Sequence, residues 1–212
     1  MNCCQCQGIE QLFSQRYVND ELARYRAKGP DKTTRMLSEA IAAEGVEGYS
    51  LLDIGGGLGA IQHELFGSGV KSAIAVEAST AYLSAAKDEI QRRELADRVS
   101  FYFGNFVDLA EDIAPADIVT LDRVICCYPD MEQLVGLSAR QARKLYGLVY
   151  PRDGWWMRFG IALENLFYRL RRNPYRAYIH PTKAVESVLG SHGFKHRSYR
   201  QTLAWQVAVY TR

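Results

Sequence analysis

The stretch Leu51-Leu52-Asp53-Ile54-Gly55-Gly56-Gly57-Leu58-Gly59-Ala60 constrains this 212-residue chain more than any other. The apolar run before the glycines reads as a short buried strand, and Ala60 to Phe66 reads as the helix that follows. Glycines between a strand and a helix let the backbone turn sharply and approach a ligand without Cβ clashes. The free N–H groups at the start of the next helix favour a negative ligand group. The loop therefore marks a ligand site beyond the carboxyl end of a strand.

Other segments repeat this strand-then-helix pattern. Strands are predicted over 49–54, 72–77, 99–102, 117–121 and 145–150. Helices are predicted over 60–66, from a Ser79 cap to about Glu94, and from about Asp130 to Arg143. A last helix runs from Pro181 to about Leu189, before a strand pair at 194–202 and 204–210. Ahead of the glycine loop, one helix is expected over 9–28, stopped by Gly29-Pro30, and a second over 32–43. Such alternation predicts an α/β, doubly wound, mostly parallel sheet. Residues 1–44 are expected to form an N-terminal helical cap and 45–212 the domain that carries the ligand site.

Composition narrows the class. Hydrophobic residues make up 48% and charged residues 24% of the chain, enough apolar side chain to exclude global disorder. No run of about 18 apolar residues suggests a spanning helix. Met1 to Cys6 does not read as a secretory leader, and five cysteines, three of them crowded at the N-terminus, do not read as a disulfide framework. A cytoplasmic setting is expected, with peripheral membrane contact as an option. Charge is uneven: residues 1–139 hold 12 Lys and Arg against 21 Asp and Glu, and residues 140–212 hold 14 against 3. Either the two parts attract each other across the fold, or the basic part faces an anionic partner. Nothing resembles a nucleic-acid-binding module, and no nucleic-acid partner is expected.

Two ligands fit the loop. Gly55-x-Gly57-x-x-Ala60 satisfies the dinucleotide fingerprint. However, Asp53 stands two residues before the first glycine, where a carboxylate would repel a pyrophosphate and suit an ammonium group. Glu77 closes the next strand, 20 residues after Gly57. A carboxylate there accepts hydrogen bonds from ribose hydroxyls. An amino-acid ammonium plus a ribose describes S-adenosylmethionine.

With its acid and its glycines at 55, 57 and 59, the segment resembles the first motif of class I S-adenosylmethionine-dependent methyltransferases. The resemblance covers about residues 45–212. It is generically similar to the magnesium-protoporphyrin O-methyltransferase-like branch. It implies a Rossmann-like, seven-stranded, mostly parallel sheet with an antiparallel C-terminal strand and an N-terminal helical lid. It also implies cofactor contacts from Asp53, Gly55, Gly57, Gly59, Glu77, Asn105, Phe106 and Asp122. Asn105 and Phe106 would meet the adenine, although the family often has an acid where Asn105 stands. The segment Asp122 to Asp130 would pass the reacting methyl group. Tyr25 and Thr34 would fold over the cofactor, whereas Tyr17 is read as helix packing.

Methyl transfer needs alignment above all, and a base only for a protonated acceptor. Asp122, Tyr128 and His180 are the catalytic candidates. Arg123, Tyr128 and Trp155 are expected to touch the acceptor, with Arg123 binding an anionic group. His63, His192 and His196 read as surface histidines. Trp155, Trp156, Phe159, Leu163, Leu166, Phe167 and Leu170 share one helical stripe, followed by Arg169, Arg171, Arg172 and Arg176. The stripe either covers the sheet edge and the pocket or rests on a lipid surface through residues 155–172. Both suit a small, anionic and apolar acceptor, with O-methylation expected.

Cys3, Cys4, Cys6, Cys126 and Cys127 would form a thiolate cluster if the N-terminus folded over the pocket, which would suggest metalloid or thiol methylation. Their spacing matches no zinc pattern, and no metal is expected. Further alternatives are a protein that binds S-adenosylmethionine without catalysis and a nicotinamide-dependent oxidoreductase.

Overall fold

The computed structural model describes residues 4–212; the side chains of Cys4 and Cys6 lie outside that description. Seven strands form one sheet: β1 (Ser50–Ile54), β2 (Ser72–Glu77), β3 (Val99–Phe103), β4 (Ala116–Asp122), β5 (Ala142–Pro151), β6 (Lys195–Gln201) and β7 (Trp205–Thr211). Their spatial order is β3-β2-β1-β4-β5-β7-β6. The first five pair in parallel, and β7 runs antiparallel to both β5 and β6.

Side chains in the central strands alternate between two cores, as a period of two requires. Leu52, Ile54, Val119, Leu121, Tyr146 and Leu148 enter one core. Leu51, Ile118, Leu145 and Val149 enter the other. Each fully buried aliphatic side chain contributes about 1.5–3 kcal/mol. The first core is closed by α6 (Phe106–Leu109), α7 (Met131–Gln141) and α9 (Thr182–Ser191). The second is closed by α3 (Lys32–Ala42), α4 (Ala60–Gly67) and α5 (Thr80–Arg92). Because α3 packs against α4, β5 and β7, it belongs to the sheet's covering layer.

The N-terminal segment differs from the single helix expected over 9–28. It forms α1 (Cys4–Leu12) and α2 (Gln15–Lys28), broken at Phe13-Ser14. Ser14 starts the second helix, its hydroxyl accepting from the Tyr17 N–H. The predicted Ser79 cap forms in the same way, accepting from the Tyr82 N–H. Val18 and Tyr25 of α2 are buried with Leu58, Ala81 and Tyr82, so this helix lies over the glycine loop and α5. A buried carboxylate fixes it there. Glu89 pairs with Arg26, Arg92 and Arg93, which hold its pKa down at about 2.

Three ion pairs join the acidic and basic parts of the chain: Lys144–Asp117 at 3.3 Å, Arg197–Glu44 at 2.9 Å and Arg200–Glu39 at 3.0 Å. The charge asymmetry is thus partly internal. α8 (Trp155–Leu170) is the exception among the larger helices, since it buries none of its residues.

Candidate functional site

A cavity of about 500 Å³ opens where the strand order reverses, between β1 and β4. That is where ligands bind in doubly wound sheets. Four strand-end loops reach it: Gly55–Leu58 after β1, Glu77-Ala78 at the end of β2, Gly104–Phe106 after β3, and the segment after β4 from Asp122.

The glycine loop has the backbone its sequence demands. Gly55 has a φ of +64°, and an added Cβ would lie 2.6 Å from Val124 Cγ2. A side chain there meets both strain and a clash. Glu77 is buried at the cavity wall. Its Oε2 accepts from the Gly57 N–H at 3.0 Å and its Oε1 from the Ser79 N–H at 2.8 Å. Burial pushes its pKa up to about 7 against these two bonds. Asn105 caps α6, and its amide donates toward the Tyr128 hydroxyl at 3.4 Å. Phe106 is buried and lines the cavity beside it.

Several expectations need correction. Asp53 is not on the cavity wall. It is fully buried beneath the loop, accepting from Thr120 Oγ1 at 2.7 Å and Gln62 Nε2 at 3.0 Å, and burial raises its pKa to about 6. It therefore supports the loop from below. Gly59 also lies off the wall, as the left-handed residue that starts α4, with a φ of +78°.

Arg123 lines the cavity but is not free to meet an anion. It pairs with Asp31 at 2.9 Å and Asp122 at 3.2 Å. Burial opposes its charge, but these carboxylates outweigh it and keep it protonated. The other oxygen of Asp122 accepts from the Thr34 hydroxyl, so both of its oxygens are engaged. His180 faces away from the cavity, and its Nε2 donates to the backbone oxygens of Ile125 at 2.9 Å and Tyr128 at 3.0 Å. Burial lowers its pKa. Trp155 is 81% exposed and lies off the cavity. Tyr17, read as helix packing, is half exposed and lines the cavity with Tyr25 and Thr34. His63 is buried rather than on the surface, bonded to the Tyr25 hydroxyl at 2.8 Å, and burial lowers its pKa to about 4.

The far end of the cavity comes from segments that the motif does not mark. α1 spans the opening. Gln5 donates to the backbone oxygens of Cys127 at 2.7 Å and Arg176 at 2.8 Å, and Glu10 accepts from the Thr80 N–H at 2.8 Å. α8 contributes Glu164 and Tyr168, one turn apart and opposite its apolar stripe. That spacing was a usable signal, whereas the sequence carries none for Gln5 or Tyr175. Cys126 and Cys127 both line the cavity. The Cys127 sulfur lies 3.0 Å from the Tyr175 hydroxyl. The hydrogen bond between the two thiols lowers the Cys127 pKa and raises that of Cys126. Cys3 and the side chains of Cys4 and Cys6 lie outside the described residues, and the five-thiol cluster lies there with them. Among the described residues no group of three or more metal-ligating side chains forms.

A seven-stranded sheet of this order, with a cavity at its switch point and a glycine turn facing a strand-end carboxylate, defines a doubly wound α/β fold with a ligand site at its switch point. The methyltransferase-domain family model matches residues 46–155. The chain belongs to this family and is a class I S-adenosylmethionine-dependent methyltransferase. Solved structures share the fold. Magnesium protoporphyrin IX methyltransferase from Synechocystis PCC 6803, with bound S-adenosylhomocysteine, matches with a TM-score of 0.74 and 18% identity over 98% of this chain and 99% of that one. An O-methyltransferase family protein from Burkholderia thailandensis matches at 0.71 and 17%, over 97% of this chain and 61% of that one. The cyclase SpnF matches at 0.66 and 12%, over 96% and 94%. No curated protein matches the chain by sequence.

Proposed function

We propose that this cavity holds S-adenosylmethionine at its strand-end side and a small, largely apolar methyl acceptor at its helical side. The observation that carries the reading is the convergence of the Gly55–Gly57 turn, Glu77 and Asn105-Phe106, from three successive strand ends, on one cavity. The residues fit the cofactor. Gly57, at φ +55°, presents an open face where an added Cβ would meet only the Tyr82 ring, at 3.6 Å. The Glu77 carboxylate suits adjacent ribose hydroxyls, and Asn105 with Phe106 suits the adenine.

When bound, the cofactor supplies a methyl group already activated on a sulfonium. The protein's work is alignment and exclusion of water. Asp53 holds the turn in place through Thr120 and Gln62. α1 and α2 cover the opening, and Thr34, on α3, holds Asp122 in place. Tyr128 stands between the adenine residues and the acceptor end, within reach of Asn105. The engaged oxygens of Asp122 suit positioning better than proton transfer.

The acceptor enters from the side of α8. This helix turns Glu164 and Tyr168 into the cavity, while Trp155, Phe159, Leu163, Leu166, Phe167 and Leu170 remain exposed. Arg158, Arg169, Arg171 and Arg172 flank the stripe and are in no ion pair among the described residues. Apolar side chains with basic neighbours suit an anionic lipid surface, from which an apolar acceptor would reach the cavity. No helix among the described residues is long and apolar enough to cross a membrane.

The test has two arms. S-adenosylhomocysteine binds in calorimetry, and no binding overturns the cofactor assignment. Vesicles containing phosphatidylglycerol sediment the protein better than phosphatidylcholine vesicles do. Equal or absent sedimentation removes the lipid surface.

A further inference from the structure

The charges facing the cavity favour an acceptor of the opposite sign to the anionic one the sequence predicts. We propose that the acceptor is a basic amine on an apolar or aromatic body, and that Glu164 holds its positive charge against the tyrosine rings of the helical end. This inference rests on the methyltransferase reading of the same cavity and names its substrate class.

Five carboxylates line the cavity, those of Glu21, Asp31, Glu77, Asp122 and Glu164, against the guanidiniums of Arg24 and Arg123. Both guanidiniums are already engaged. Arg24 pairs with Asp31 and lies 3.8 Å from Glu21, and Arg123 is held between Asp31 and Asp122. An anionic acceptor would give up its water and find no unpaired cation among the described lining residues, at the cost of burying an unmatched charge. A cofactor with one net positive charge still leaves the lining in acidic excess.

Glu164 is the least engaged of these acids. It is in no ion pair among the described residues, and it accepts one hydrogen bond, from the Tyr168 hydroxyl at 2.9 Å. The Tyr168 ring packs edge-on against Tyr175, with centroids 5.2 Å apart. The Tyr175 hydroxyl in turn touches Cys127, on the loop that follows β4. A carboxylate bonded to one tyrosine, whose ring packs on a second, suits an ammonium group, which aromatic ring faces also attract. The apolar part of the wall leaves room for the amine's hydrocarbon body.

The chemistry balances. The bound ammonium first gives a proton to the Glu164 carboxylate, which later returns it to solvent. The freed nitrogen lone pair forms the new bond to the methyl carbon. The carbon–sulfur bond breaks with its electron pair left on sulfur, giving the thioether, and the methylated product leaves as the ammonium.

The test is calorimetric titration of the protein saturated with S-adenosylhomocysteine, using benzyltrimethylammonium and phenylacetate as probes. The cation is expected to bind and the anion not, with Glu164→Gln weakening the cation by about fivefold and leaving S-adenosylhomocysteine affinity unchanged. Glu164 is exposed enough for this variant to fold. Tighter binding of phenylacetate, binding of neither probe, or a cation affinity that Glu164→Gln leaves intact overturns the proposal. Failure of the native protein to bind S-adenosylhomocysteine is a separate result, which removes the cofactor reading itself.

Discussion

The two ends of the cavity are built in opposite ways. At the strand-end side, the glycine turn, Glu77 and Asn105 follow directly on β1, β2 and β3, so each is placed by the strand that precedes it. At the helical side, Gln5 bonds residues 122 and 171 positions away, and α8 reaches the cavity across the end of the sheet. The first end is a consequence of sheet topology, and a ligand common to many such sheets belongs there. The second depends on packing between distant segments, which is the part free to vary with the acceptor. If this contrast holds, substitutions at the strand ends change cofactor affinity, and those at the helical end leave it unaltered.

The largest effect is expected from Gly55→Ala. The added Cβ meets Val124 at 2.6 Å on a backbone with φ of +64°. S-adenosylhomocysteine affinity should fall roughly a hundredfold, about 3 kcal/mol in calorimetry.

Glu77→Ala comes next, with a loss of about tenfold, or 1.4 kcal/mol. Glu77 also sets a pH dependence. Its folded pKa of about 7 lies above the usual 4.5, so the folded chain binds more protons than the unfolded chain between these values. Stability should therefore fall as pH rises from about 4.5 to 7. Buried Asp53, raised to about 6, adds to the trend in its lower part. Cofactor affinity should move the other way, rising between pH 6 and 8 as Glu77 becomes the anionic acceptor of ribose hydroxyls. Glu77→Gln should flatten the affinity profile.

Gln5→Ala sharpens the contrast from the other side. It removes the bonds to Cys127 and Arg176 that pin α1, about 1–3 kcal/mol of local stability. Amide exchange in α1 should quicken about tenfold, while S-adenosylhomocysteine affinity stays within about twofold. A matching loss of affinity would mean that α1 serves the cofactor end as well.

The smallest effect is expected from Trp155→Ser. The side chain is 81% exposed, so stability should change by less than about 0.5 kcal/mol. Sedimentation with phosphatidylglycerol vesicles should nevertheless drop, and an unchanged value would deny α8 its lipid contact.

The same contrast governs what was legible in the sequence. The strand over 72–77, the Ser79 cap and the glycine turn follow from local patterns, and all appear as read. Asp53 is legible only in part. Its position at a strand end was visible, but the inward direction of its carboxylate depends on Thr120, 67 residues away. The surroundings of Arg123 and His180 are hidden in the same way, because Asp31 and the backbone oxygens that engage them arrive from other parts of the chain. The break at Phe13-Ser14 was hidden by apolar residues that keep near-helical spacing across it. On α8 the apolar stripe was plain, but the stripe points outward and the polar residues behind it face the cavity.

Parallel calorimetric titration of the native protein and Glu77→Ala with S-adenosylhomocysteine and NAD tests the strand-end site most directly. S-adenosylhomocysteine is expected to bind, about tenfold more weakly to Glu77→Ala, and NAD is expected not to bind. NAD binding alone, or S-adenosylhomocysteine affinity indifferent to Glu77, would contradict the cofactor assignment.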